Sequence, residues 1–180
     1  FVVGKIARLF ELKGHKELFA ALPELIRKIP NLKLLLVGGG PHKERFKTQL
    51  NAMGLSDKVI FTGLVRPEEV PKWVGIMDVL THLSQREGLP RALPQAMAAG
   101  KPVVSLDLDG APEVCINGKT GFLLKPGVNQ DLITALVALA ANPDLRLNLG
   151  QQGREFVEKR FKIQTMVDSI HDLYVRLLQG

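Results

Sequence analysis

The strongest constraint on this chain is the alternation of short apolar runs with amphipathic helical segments from one end to the other. Strand-like runs fall at residues 2–6, 32–37, 59–61, 79–83 and 102–106, with a shorter one at 122–124. Between them, apolar residues recur three and four apart, the spacing of one helical face. Over 16–29 the stripe is Leu18, Leu22, Leu25, Ile26 and Ile29, with Pro23 inside it as a start or a kink. Further helices are predicted at 43–53, 68–77, 93–99, 128–141, 144–159 and 163–178. Strands alternating with helices build βαβ units and a parallel sheet buried on both faces. Right-handed crossovers then give a doubly wound, Rossmann-like α/β fold. The chain ends in consecutive helices. This helical C-terminal tail must pack on the edge of the sheet or reach toward a neighbouring domain.

Composition narrows the reading. At 180 residues, 46% hydrophobic and 23% charged, residues 1–180 read as a single globular domain and not as a disordered chain. No apolar run approaches the roughly 20 residues of a membrane span, and no signal-peptide pattern opens the sequence. Because it opens on Phe1, already strand-like, the expectation is a piece of a longer protein. A lone cysteine, Cys115, excludes an internal disulfide and fits a reducing, cytoplasmic setting. The net charge of +6 points to an anionic partner: nucleic acid, a phosphorylated metabolite or an acidic lipid surface. Aromatics are too few, and too poorly interleaved with Lys and Arg, for a single-strand stacking platform, so no nucleic-acid partner is expected. A peripheral position at an inner membrane face is a secondary option only, since the positive charge is spread along the chain.

Two glycine-rich segments are decoys. Gly38-Gly39-Gly40-Pro41 follows the second strand, but a dinucleotide fingerprint needs a small residue where Lys43 stands; a turn of close backbone approach fits better. Asn117-Gly118-Lys119-Thr120 ends like a P-loop, yet Glu113 occupies the position of its first glycine and a strand follows where a helix should start. Nor do His15, His42, His82 and His171 have companions at ligand spacing, so no metal site is expected.

Open α/β sheets bind ligands beyond the carboxyl ends of their strands. Two loops there carry chemistry. After the fourth strand, Glu87, Gly88, Leu89 and Pro90 precede a helix beginning near Arg91, with Pro94 tolerated in its first turn. Free amides at that start favour an anion, so Glu87 either caps a neighbouring amide or faces hydroxyl groups. After the first strand stand Arg8 and Lys13, a bidentate fork and a flexible point charge for phosphate, or else two solvated surface cations. Loops after different parallel strands converge on one rim, where all three residues can share a crevice.

The segment Ala7-Arg8-Leu9-Phe10-Glu11-Leu12-Lys13-Gly14 resembles the opening of the donor domain in group 1 (family 4) retaining glycosyltransferases of the GT-B fold. The resemblance continues through Leu36 to Pro41, Val59 to Gly63, Ser84 to Pro102 and Gly110 to Gly121, nearly the whole chain in order. It implies the C-terminal, nucleotide-sugar-binding half of a two-domain enzyme whose own N-terminal domain holds the acceptor. By that resemblance Arg8 and Lys13 would hold the donor diphosphate. Glu87 would match the first glutamate of the E-x7-E motif, which contacts the donor sugar and steadies charge at the reacting carbon. Gly88, Leu89 and Pro90 would line the same loop, and Val65 would border the base. Gln95 stands where the family's second glutamate accepts from the ribose, so here that acceptor is neutral. No cofactor or metal is implied beyond the nucleotide-sugar substrate. A related GT-B nucleotide-sugar epimerase and a non-catalytic nucleotide-binding module are the alternatives.

Overall fold

The computed structural model describes residues 1–127 and 129–179. In chain order its elements are β1 Val2–Ile6, α1 His15–Lys28, β2 Lys33–Val37, α2 Lys43–Ala52, β3 Val59–Gly63, α3 Val70–Gly75 and β4 Val79–His82. They continue with α4 Ala92–Ala98, β5 Val103–Leu106, α5 Ala111–Val114, β6 Gly121–Leu124, α6 Asn129–Ala141, α7 Pro143–Arg160 and α8 Ile163–Gln179. The six strands are parallel and lie in the order β3-β2-β1-β4-β5-β6. Gly4 of β1 pairs with Leu35 on one side and Leu80 on the other. The strand order therefore reverses direction at β1–β4, the place where doubly wound sheets open a crevice.

Each sheet face has its own core. On one side α1 and α6 press Leu18, Leu22, Leu25, Leu136 and Leu139 onto Val3, Leu34 and Leu36. On the other, Leu93 and Met97 of α4 and Val157 of α7 cover Leu35, Val37 and Leu80. α7 thus closes over the sheet through α4. By contrast, α8 buries no residue. Its predicted apolar stripe is present, but among the described residues none of the stripe is buried.

Most element boundaries match the sequence reading to within a residue or two, and the departures have causes. The helix expected over 68–77 divides into a single 3-10 turn at Pro67–Glu69 and the short α3, because Pro67 and Pro71 each remove a backbone donor. Pro23 sits inside α1 and neither starts nor ends it. The four-residue α5 is too short to leave a periodic signal. Of the helix expected over 128–141, residue Val128 lies outside the described residues. The Asn117–Thr120 segment is a tight turn: Gly118 N–H donates to the Gly121 carbonyl at 2.8 Å, and the Thr120 hydroxyl accepts from Ile116 N–H at 2.8 Å.

Candidate active site

The loop after β1 turns through a 3-10 segment, Glu11–Lys13, and enters α1 at Gly14. Gly14 adopts φ +68°, and a Cβ there would stand 1.9 Å from the Leu83 carbonyl oxygen just after β4. Only glycine allows both the left-handed turn and this approach. The two loops are then laced together. Gln85 N–H donates to the Leu12 carbonyl at 2.9 Å, the Ser84 hydroxyl donates to the same oxygen at 3.2 Å, and Gln85 Nε2 donates to Glu17 Oε1 at 3.1 Å. Strapped this way, Lys13 Nζ meets Glu87 Oε1 in a hydrogen-bonded ion pair. Burial opposes ionisation of Glu87. The bond and charge of Lys13 prevail and hold its carboxyl below the usual glutamate range.

The remaining expected residues spread along the same rim. Arg8 is exposed on the β1 loop, and among the described residues it has no ion-pair partner. Its loop is held from below by Gly38 to Gly40: Leu9 N–H donates to the Gly39 carbonyl at 2.9 Å, and a Cβ on Gly40 would lie 2.5 Å from the Leu9 carbonyl oxygen. The triple glycine therefore serves backbone packing under the Arg8 loop. Gly88 and Leu89 are exposed beside Glu87. Pro90, expected to line the loop with them, is buried, and its carbonyl accepts Leu93 N–H at 2.9 Å as α4 begins. With an apolar ring and no N–H, it shapes the helix start. Gln95 is exposed near the start of α4, and both neighbouring clefts reach it: one toward Pro67, Val70 and Pro71, the other toward Leu89, Arg91 and Phe161. Val65, half-buried after β3, packs against the α3–α4 core.

Sequence reasoning missed the buried charge beneath this rim. Lys5, inside β1, is 2% exposed. Burial, with the positive charge of Lys13, pulls its pKa down to about 7 against the carboxylates of Glu17 and Glu87. The same burial, followed by the charge of Lys5, takes His15 down to about 3 and His82 down to about 4, so both imidazoles are neutral near pH 7. His15 stacks on Phe46 with ring centroids 5.0 Å apart. A lysine within a run otherwise destined for a buried parallel strand was the available signal. Asp109, whose carboxylate takes the Glu87 N–H, was also missed. The buried Cys115 thiol is pushed up to about 12, which leaves it unreactive.

With this geometry in place, the comparison with known families is decisive: the model of the glycosyl transferases group 1 matches residues 1–156. The chain belongs to this family. A GDP-mannose-dependent alpha-(1-6)-phosphatidylinositol monomannoside mannosyltransferase of Mycolicibacterium smegmatis is 34% identical over 172 residues, 91% of this chain and 45% of that protein. HepE of Anabaena, solved in complex with UDP, superposes with a TM-score of 0.89 at 28% identity, covering 98% of this chain and 49% of HepE. Sucrose-phosphate synthase of Thermosynechococcus elongatus gives the same TM-score and identity over 99% of this chain and 45% of its own. This group 1 chain therefore has the Rossmann-like architecture of GT-B glycosyltransferases and spans about half the length of the relatives it matches.

Proposed function

We propose that this chain binds a nucleoside diphosphate sugar across the β1–β4 rim and supplies the donor half of a retaining glycosyl transfer. The acceptor would come from the protein's own N-terminal domain. The observation that carries the reading is the Lys13–Glu87 pair, which sets a cation and a deprotonated carboxylate side by side at the switch point of the sheet. As the bond from the anomeric carbon to the diphosphate oxygen breaks, negative charge grows on the leaving group and positive charge on the sugar. Arg8 and Lys13 neutralise the first without a metal, and Glu87 stabilises the second. Gln95 accepts from a ribose hydroxyl, and Val65 borders the base. HepE in its UDP complex and the GDP-mannose-dependent relative support a nucleotide-sugar donor. Retention and dependence on a second domain rest on the resemblance to the retaining enzymes, and a cytoplasmic location on the lone Cys115. A peripheral membrane position rests on the basic surface alone.

The test is calorimetry with UDP and GDP on the 180-residue chain and its Lys13→Ala variant. A hydrogen bond to a charged group contributes about 1.5–3 kcal/mol, so the variant should bind about ten- to a hundred-fold more weakly. Unchanged affinity would remove Lys13 from the site. A cleft closing between two domains excludes water and aligns both reactants, so this chain alone should show no acceptor-dependent turnover. The neutral Gln95 favours one second reading, a nucleotide-binding module without catalysis. Sugar transfer by the protein joined to its acceptor domain would decide against it.

A further inference from the structure

Among the described residues, Asp109 is the only non-glycine with positive φ, at +50°. An L-residue in the left-handed region is uncommon, and such positions gather where the fold needs a particular side-chain direction. Here the direction serves one contact: Asp109 Oδ2 accepts the backbone N–H of Glu87 at 2.7 Å. The next residue makes a second. Gly110 N–H donates to the Gly88 carbonyl at 3.1 Å, and a Cβ on Gly110 would lie 2.2 Å from that oxygen. The turn itself is anchored, since Asp107 N–H donates to the Leu124 carbonyl of β6 and Ala111 N–H to the Leu108 carbonyl.

These contacts grip the two peptide planes on either side of the Glu87 and Gly88 pair. In a trans peptide the C=O and N–H point in opposite directions. With Glu87 N–H turned to Asp109, the Arg86 carbonyl faces away and lies 3.3 Å from the Ser84 hydroxyl, which shares its one proton between this oxygen and the Leu12 carbonyl. With the Gly88 carbonyl turned to Gly110, Leu89 N–H must point away from the β5–α5 turn. The Glu87 amide is thus already spent on Asp109, and the amides left for a ligand are those of Gly88 and Leu89.

We propose that Asp109 is a positioning residue for the donor sugar: from the β5–α5 turn its carboxylate fixes the Glu87 backbone, so that the Glu87 side chain and the Leu89 N–H meet the sugar in one orientation. This rests on the reading of the Glu87 loop as the sugar contact. A charge-assisted bond to a backbone N–H is about twice as strong as a neutral one, which suits a carboxylate to the task. Asparagine tolerates the same backbone conformation and keeps an oxygen acceptor, whereas glycine tolerates the conformation and offers none.

The experiment compares the full chain with Asp109→Gly and Asp109→Asn by calorimetry against UDP, UDP-glucose, GDP and GDP-mannose. Asp109→Gly should lose about tenfold in affinity for the sugar nucleotide while binding the free diphosphate within twofold of the parent. Asp109→Asn should restore most of the loss. Equal losses for sugar nucleotide and free diphosphate, together with a lower melting temperature, would mean a merely structural role and overturn the proposal. Amide exchange at Glu87 gives a readout that needs no ligand. It should quicken at least tenfold in Asp109→Gly and stay near the parent rate in Asp109→Asn. Unchanged exchange overturns the positioning role even if nucleotides bind. A parent chain that binds none of the four nucleotides defeats the donor-site reading instead, and amide exchange still judges Asp109.

Discussion

In α1 the stripe of Leu18, Leu22 and Leu25 is at most 1% exposed, whereas in α8 Ile170, Leu173 and Leu177 remain 45–69% exposed. Both helices are amphipathic with the same three-and-four spacing, and their apolar residues are of the same kind. The difference lies in position. α1 is a crossover between two parallel strands, so the chain itself delivers it to the sheet. α8 follows the last strand, after α6 has taken its place on one face and α7 has closed over α4 on the other. Amphipathicity records that a helix has a face to bury. It does not say what covers that face.

The contrast can be broken most directly in α1. Leu22→Ala should destabilise the chain by about 2–5 kcal/mol, since its cavity sits in a close-packed core. Urea denaturation measures this, and a loss under about 1 kcal/mol would mean that the α1 face is much looser than its burial indicates.

Lys5 sharpens the same comparison, because the core that gains from the leucines of α1 also holds a lysine. Its folded pKa of about 7 lies below the ordinary 10.5, so between those values the unfolded chain binds more protons than the folded one. Stability should therefore rise with pH across that window, by up to about 1.4 kcal/mol per unit from this group. The burden is fully present below pH 7 and relieved above 10.5. Lys5→Met should lack this part of the rise, so the stability difference between parent and variant should drift between pH 7 and 10. A constant difference would place Lys5 in contact with water.

The smallest effect belongs to α8. Leu173→Ala, at a position 46% exposed, should change the stability of this chain by no more than about 0.5 kcal/mol. A loss near that of Leu22→Ala would mean that α8 packs on something in solution, and sedimentation of the parent would then show association.

What was legible in the sequence follows the same division between local and distant causes. Strands such as Val2–Ile6 and Val79–His82 were legible because a buried parallel strand is written as one apolar run. The extension of β6 to Gly121 was not, because a glycine there answers the Val103 carbonyl of β5, where a Cβ would stand 2.1 Å away. In the site, Glu87 and Lys13 stood out through residue type and place after a strand, and their direct contact needed the fold. Asp109 left only a turn-like Asp-Gly. Its contact with Glu87 joins residues 22 positions apart through two neighbouring loops, which no local pattern encodes. Lys5 was hidden by the strand around it, since its lowered pKa comes first from burial in the folded sheet and then from Lys13, against Glu17 and Glu87, all of them outside β1.

The pairing of Lys13 with Glu87 spans 74 positions of sequence, and the strands that carry them, β1 and β4, become neighbours only when the two halves of the sheet dock. Closing so long a loop is entropically unfavourable on its own, and the condensation of the intervening strands offsets that cost. A chain emerging from the ribosome exposes Lys13 long before Glu87 exists to meet it. Until β4 settles against β1 there is no rim with both charges in place. A ligand that needs both recognises only the finished sheet and, by mass action, holds it closed.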